Sequence, residues 1–197
     1  IDLRIKIAYS YFKINQFEQA LQLSSNLTIS KSPQYYNLKY IELLAYYNLK
    51  DYFRVITEIK LLLLDDKLSD SFKYKFKKLL ADSYFDIKDY GAAEKHYTEL
   101  INLEHPEFNH YDILAALGVT YLKQNKFDFA ELLIKNILAE NTQTSLKFQQ
   151  FILLFCETIN NEIKSEYYLN ELLKITNNAI ISDKANFMLA QLNFKNK

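Results

Sequence analysis

The sequence predicts an all-α protein, a solenoid of antiparallel helix pairs, on three observations. Only two glycines (Gly91, Gly118) and two prolines (Pro33, Pro106) punctuate 197 residues, whereas sheet proteins need turn chemistry every ~8–12 positions. A short polar corner closed by an aromatic recurs four times. Between the corners, apolar residues recur at helical spacing, as in Ile7, Ala8, Tyr11 and Phe12 followed by Phe17, Ala20 and Leu21.

The corners are Lys13-Ile14-Asn15-Gln16-Phe17, Asn48-Leu49-Lys50-Asp51-Tyr52, Asp86-Ile87-Lys88-Asp89-Tyr90 and Lys123-Gln124-Asn125-Lys126-Phe127. Their closing aromatics at 17, 52, 90 and 127 are spaced by 35, 38 and 37 residues. A tyrosine stands six positions before each: Tyr11, Tyr46, Tyr84 and Tyr121. Small residues stand nine before three of them (Ala8, Ala81, Gly118) and three after the same three (Ala20, Ala93, Ala130). Antiparallel helices approach to about 8–10 Å only where the facing side chains are short. A small residue on each helix of a pair meets that need, and the aromatics wedge the corner.

The elements follow in order. The first pair is predicted over 2–14 and 17–29, the second over 34–49 and 52–65, and the third over 70–87 and 90–103. The fourth is predicted over 109–124 and 127–139. In the second pair Leu43 and Val55 replace the small residues, so its helices should sit further apart or cross differently. Beyond 140 the pattern weakens to a degenerate fifth pair, 144–160 and 162–176, with Tyr168 where alanine is preferred. A last helix over 178–194 carries Ile181, Ala185, Met188, Leu189 and Leu192 on one face and is expected to cap the array. No linker is long or polar enough to separate domains. One continuous domain over 1–197 is expected, because such pairs bury both faces only by stacking.

The copies Leu80-Ala81…Tyr84…Tyr90…Ala93…Tyr97…Leu100…Pro106 and Leu114…Leu117-Gly118…Tyr121…Phe127…Ala130…Ile134 resemble the tetratricopeptide repeat. So does Ile7-Ala8…Tyr11…Phe17…Ala20…Leu27…Pro33, and the resemblance covers about residues 1–140. It implies a right-handed superhelix whose concave wall is lined by the first helices and holds extended peptides or helices of other proteins. Carried onto this chain, the wall comprises Ile5, Tyr9, Phe12 and Lys13, then Tyr40, Leu44, Tyr47 and Asn48. It continues with Lys78, Asp82, Phe85 and Asp86, then Ala115, Val119, Leu122 and Lys123. Its first two repeats are aromatic and aliphatic, and the third is charged. Aromatics at helical spacing also pack between repeats, so each has a structural reading beside the binding one. Members that clamp a chaperone's carboxylate tail carry a lysine and an asparagine four apart on the first helix. Ile5 and Tyr9 stand there instead, so that role is not expected.

Other chemistry finds little support. Lysine plus arginine equals aspartate plus glutamate at 24 each, whereas a nucleic-acid surface carries excess positive charge. The longest apolar runs, such as Leu61 to Leu64 and Phe151 to Cys156, fall short of the ~18 residues of a membrane span. No secretory signal is visible, and the chain begins at Ile1. The compartment is therefore open between cytoplasm and, after removal of a leader, the cell envelope. His105 and His110 flank Glu104 and Glu107 without the spacing of a complete zinc site, and His96 lacks an evident acid–base partner. Cys156 among Phe151, Leu154 and Phe155 reads as a small core residue. Asn26-Leu27-Thr28 fits a glycosylation sequon within a predicted helix. No glycine-rich phosphate loop exists. No enzyme, metal or cofactor is expected. The expected function is a protein-interaction scaffold. Self-association through the C-terminal helices is a second class, and RNA binding by helical repeats a third.

Overall fold

The structure, a computed structural model, describes residues 2–24, 32–103, 109–140 and 144–195. Among them are eleven helices and no strand: α1 (Asp2–Lys13), α2 (Phe17–Ser24), α3 (Pro33–Asn48), α4 (Tyr52–Leu62), α5 (Asp70–Asp86) and α6 (Tyr90–Ile101), then α7 (His110–Lys123), α8 (Phe127–Ala139), α9 (Leu146–Thr158), α10 (Glu162–Ile175) and α11 (Ala179–Lys195). Every expected helix is present. The Asn26-Leu27-Thr28 triplet and the Glu104-His105-Pro106-Glu107 segment lie outside the described residues. The chain divides into two compact units, Ile1–His105 and Pro106–Lys197.

The four corners share one construction. Asn15, Lys50, Lys88 and Asn125 adopt positive φ, between 57° and 66°, two residues before each closing aromatic. The following N–H reaches back to the carbonyl of the corner tyrosine: Gln16 to Tyr11, Asp51 to Tyr46, Asp89 to Tyr84 and Lys126 to Tyr121, each at 2.9 Å. The left-handed residue's own N–H bonds the next carbonyl, as Lys50 does to Tyr47 and Lys88 to Phe85, both at 2.9 Å. These paired bonds are the Schellman helix stop. The residue that ends one helix then starts another, since Asp51 and Asp89 accept from the N–H groups of Arg54 and Ala92 as N-caps.

Asparagine tolerates the left-handed region and glycine occupies it freely, whereas lysine is strained there. Lys88→Gly should therefore stabilise the chain by about 0.5–1 kcal/mol and raise its melting temperature by roughly 2–4 °C. Thermal unfolding followed by circular dichroism checks this, and an unchanged or lower midpoint contradicts it.

In the first unit Ala8, Ala20, Leu38, Ile41 and Ala45 form one core. Leu43, Val55, Ile56, Ile59, Phe76 and Leu80 belong to a second core. Ala81 and Ala93 are buried without exposure, as the small-residue crossing requires. Leu43 and Val55 are equally buried, and α3 and α4 approach each other over the least backbone of the five pairs. Two larger side chains hold that pair apart. Rings join successive first helices: Tyr36 meets Phe72 at 5.6 Å and Tyr40 meets Phe76 at 5.9 Å.

In the second unit the space left open at Gly118 is filled from the following pair, which the repeat pattern did not suggest. A Cβ built on it would stand 2.2 Å from Cζ of Phe151, so its open space belongs to a ring from α9. The fifth pair's corner is also built differently, for α9 ends at Ile159 in extended backbone (φ −75°, ψ 132°) and Asn161 caps α10. Tyr168, on α10, is fully buried against Phe155 with ring centroids 5.5 Å apart. Its hydroxyl donates to Glu131 of α8 at 2.9 Å. Glu131 also meets Lys164 at 2.6 Å and Lys135 at 2.8 Å. Burial alone would raise the Glu131 pKa, but these three hydrogen bonds outweigh it and hold the carboxyl at about 2.

Candidate partner-binding wall

The first helices of the first unit bring most of the expected residues together. On α1, Tyr9 stacks beside Phe12 with centroids 6.4 Å apart, and the Lys13 ammonium lies 5.2 Å above the Tyr9 ring. Tyr9 is the open aromatic here, 46% exposed. Ile5 and Phe12 are half-buried against the α1–α2 core. On α3, Tyr40 is half-buried, and its pKa is pushed up to about 12 by burial, by the negative charge of Asp82 and by the Tyr9 phenol. Leu44 is half-buried against the second core, while Asn48 is exposed and donates to the Leu44 carbonyl at 2.7 Å.

The charged part of the wall lies on α5. Asp82 accepts from Lys78 at 2.6 Å and from Tyr97 of α6 at 2.8 Å. Asp86, one turn further, is exposed and accepts from Tyr47 of α3. Burial and then the Asp86 hydrogen bond drive the Tyr47 pKa far upward, and burial followed by the Asp82 charge does the same to Tyr97. Both phenols stay protonated and act as fixed donors. A tyrosine thus sets the position of each carboxylate.

Three expected wall residues also serve the corners. Phe12 meets Phe17 at 5.8 Å, Tyr47 meets Tyr52 at 5.3 Å and Phe85 meets Tyr90 at 5.3 Å. Each stands five residues before its closing aromatic, so one side chain presents an edge to the wall and packs the turn. Leu122 has the same position in the second unit and is buried, at 6% exposure. It offers a partner little surface. Ala115 is buried too, Val119 is half-buried and Lys123 is exposed.

The second unit holds a feature that the repeat pattern did not signal. A cleft of about 800 Å³ opens between the α9–α10 corner and α11, lined by Cys156, Glu157, Ser165, Lys184, Phe187 and Phe194. Lys184 pairs with Glu157 at 2.8 Å on its edge. On α11, Ile180, Phe187 and Phe194 are exposed at seven-residue spacing, a stripe opposite the buried Ile181 and Ala185. That spacing was readable in the sequence.

His96 has an acid–base neighbour after all, since Nδ1 lies 3.5 Å from Glu99 while its ring stacks on Tyr84 at 5.4 Å. Burial keeps its pKa below the usual histidine value. Cys156 is a buried core thiol, pushed up to about 12 by burial and then by Glu157. Among the described residues no group of three or more His, Cys, Asp or Glu could hold a metal ion, and no helix is long and apolar enough to cross a membrane.

No protein-family model matches the sequence, and no curated protein matches it. Among solved structures, that of a tetratricopeptide repeat protein from Parabacteroides merdae ATCC 43184 superposes with a TM-score of 0.69. The match covers 98% of this chain and 72% of that one at 17% identity. The chain has the tetratricopeptide-repeat fold. At that identity the likeness speaks for architecture, an α-solenoid of helix pairs. The tetratricopeptide-like corners are those whose closing aromatics recur at 17, 52, 90 and 127.

Proposed function

We propose that this chain is a non-enzymatic interaction module that holds a segment of another protein against the wall of α1, α3 and α5. One observation carries the reading. An exposed tyrosine, Tyr9, stands on α1, half-buried Tyr40 and Tyr47 stand on α3, and two tyrosine-positioned carboxylates follow on α5. Rigid aromatics supply contact area at low entropic cost, and fixed charges select register. The matching segment carries apolar or aromatic side chains for Tyr9 and Tyr40 and a basic group for Asp86. Tyr9→Ala should leave the melting temperature unchanged, because the ring is half open to solvent, and weaken the partner by about tenfold or more. Affinity capture from the native source with wild type and Tyr9→Ala in parallel tests this. Equal recovery of the same partner by both proteins contradicts it.

A second reading, self-association through the C-terminal helices, is favoured by the Ile180, Phe187 and Phe194 stripe on α11. Sedimentation at several concentrations separates the two, since a strict monomer excludes the second.

A further inference from the structure

The helix α4 is apolar on both sides. Its inner side gives Val55, Ile56, Ile59 and Leu62 to the core. On its outer side Phe53 is 74% and Leu61 65% exposed, and Leu64, in the turn that follows, is 78% exposed. The repeat does not ask for these residues. Counted from the corner aromatics, α6 and its C-cap carry Gly91, Glu99 and Asn102 at the same three positions, and α2 carries Glu18 at the first. Glu18, Gly91 and Asn102 are exposed, so no neighbouring helix covers this side of a pair. The stripe is therefore not a stacking surface left open.

Its charges are arranged around it. At about 100° per residue, Phe53, Thr57 and Leu61 span an arc of about 80°, with Lys60 and Arg54 about 20° beyond its two edges. Both cations are exposed and lean on rings, Arg54 at 4.6 Å from the Tyr46 centroid and Lys60 at 5.5 Å from that of Tyr84. Arg54 also pairs with Asp51, its helix's N-cap, at 3.4 Å. Glu58, the acid of α4, lies outside the arc and is held by Lys39 of α3 at 3.1 Å. Asp65 is turned to the Tyr36 hydroxyl at 2.8 Å, and exposed Asp66 stands beside exposed Lys67. An apolar stripe edged by cations, with no acid inside it, is the pattern of a helix that lies in the plane of a bilayer interface. Protruding side chains enter such an interface without a matching pocket, while long basic stems reach the headgroups. We propose that the outer face of α4 rests on an anionic lipid surface, with Phe53, Leu61 and Leu64 among the upper acyl chains and Arg54 and Lys60 on the headgroups. This face shares no residue with the wall of α1, α3 and α5.

The chain contains no tryptophan, so Phe53→Trp places a single reporter in the stripe. Titrated with vesicles of phosphatidylcholine containing about one third phosphatidylglycerol, this full-length variant should shift its emission to shorter wavelength and saturate. Adding Leu61→Asp, at an exposed position that circular dichroism should show leaves the fold intact, should weaken partitioning by about tenfold or more. Adding Lys60→Gln should weaken it by about fivefold at low salt and by less at high salt. Tyr9→Ala should leave it within about twofold. An unshifted emission overturns the proposal, as does a shift that Leu61→Asp leaves unaltered. Equal partitioning into pure phosphatidylcholine overturns it by removing the headgroups from the contact. A shift that grows with protein concentration in the absence of vesicles also overturns it, by showing that a second copy covers the stripe.

Discussion

Gly118→Ala should cost about 3 kcal/mol, although alanine is the better helix former by about 1 kcal/mol. The added methyl has no room. Its ideal position lies 2.2, 2.5 and 2.6 Å from three ring atoms of Phe151, and that ring is fully buried. Phe148 is buried beside it, with centroids 5.6 Å apart, so the ring has no open side into which to tilt. Either α7 and α9 separate, with loss of contact along their length, or Phe151 leaves its rotamer. Urea unfolding of both proteins measures the loss. Adding Phe151→Leu to the alanine variant should recover part of it, because the two changes act on one space and cannot be additive. A neutral Gly118→Ala would mean that α9 does not rest against α7 as described.

Glu131→Gln should cost about 2–3 kcal/mol at neutral pH and change how the chain responds to acid. The carboxylate joins α8 to α10 through Lys164 and Tyr168 and is nearly buried. A neutral amide forfeits the charge-assisted bonds and leaves the Tyr168 hydroxyl with a weaker acceptor. The folded pKa of about 2 lies below the unfolded value near 4.5. The carboxylate's contribution is therefore fully present above about pH 4.5 and is lost as pH falls toward 2. The stability gap between wild type and Glu131→Gln should be widest at neutral pH and close across that interval. Parallel unfolding curves at constant separation down to pH 2.5 would contradict the assignment. Glu42 should act in the opposite sense. Burial raises its pKa despite Lys39 at 2.9 Å, so its charged form disfavours folding at neutral pH and acidification relieves that cost.

The helices and corners were legible because their causes are local. A tyrosine in the last turn of the helix, a left-handed residue and, in the second and third corners, a capping aspartate all lie within one short stretch, and the pattern recurs every 35 to 38 residues. Expected boundaries agree with the structure to within three residues wherever both ends are described. Gly118 marks where the pattern stopped being informative. Periodicity announces that a small residue is needed but does not name the neighbour that fills the space, and the neighbour proved to be in the following pair. Tyr168 is similar. Its place at an alanine position looked like decay of the repeat, whereas its hydroxyl meets an acid 37 residues away, beyond the reach of any local period. On the wall, helical phase groups Tyr9, Tyr40 and Asp82 by position alone. It could not separate a side chain that faces outward from one, like Leu122, that the corner has already buried.

The corners also decide where the first unit can yield. Within the second and third pairs the connecting turn has no slack, because its N–H groups are committed to the helix behind it and its aspartate, Asp51 or Asp89, to the helix ahead. Between pairs, α3 and α5 meet through the rings of Tyr36 with Phe72 and Tyr40 with Phe76, which can slide without breaking a hydrogen bond in the backbone. A ligand that bends this unit must work like a hand on a stack of hinged plates, shifting one plate over the next while every hinge stays shut.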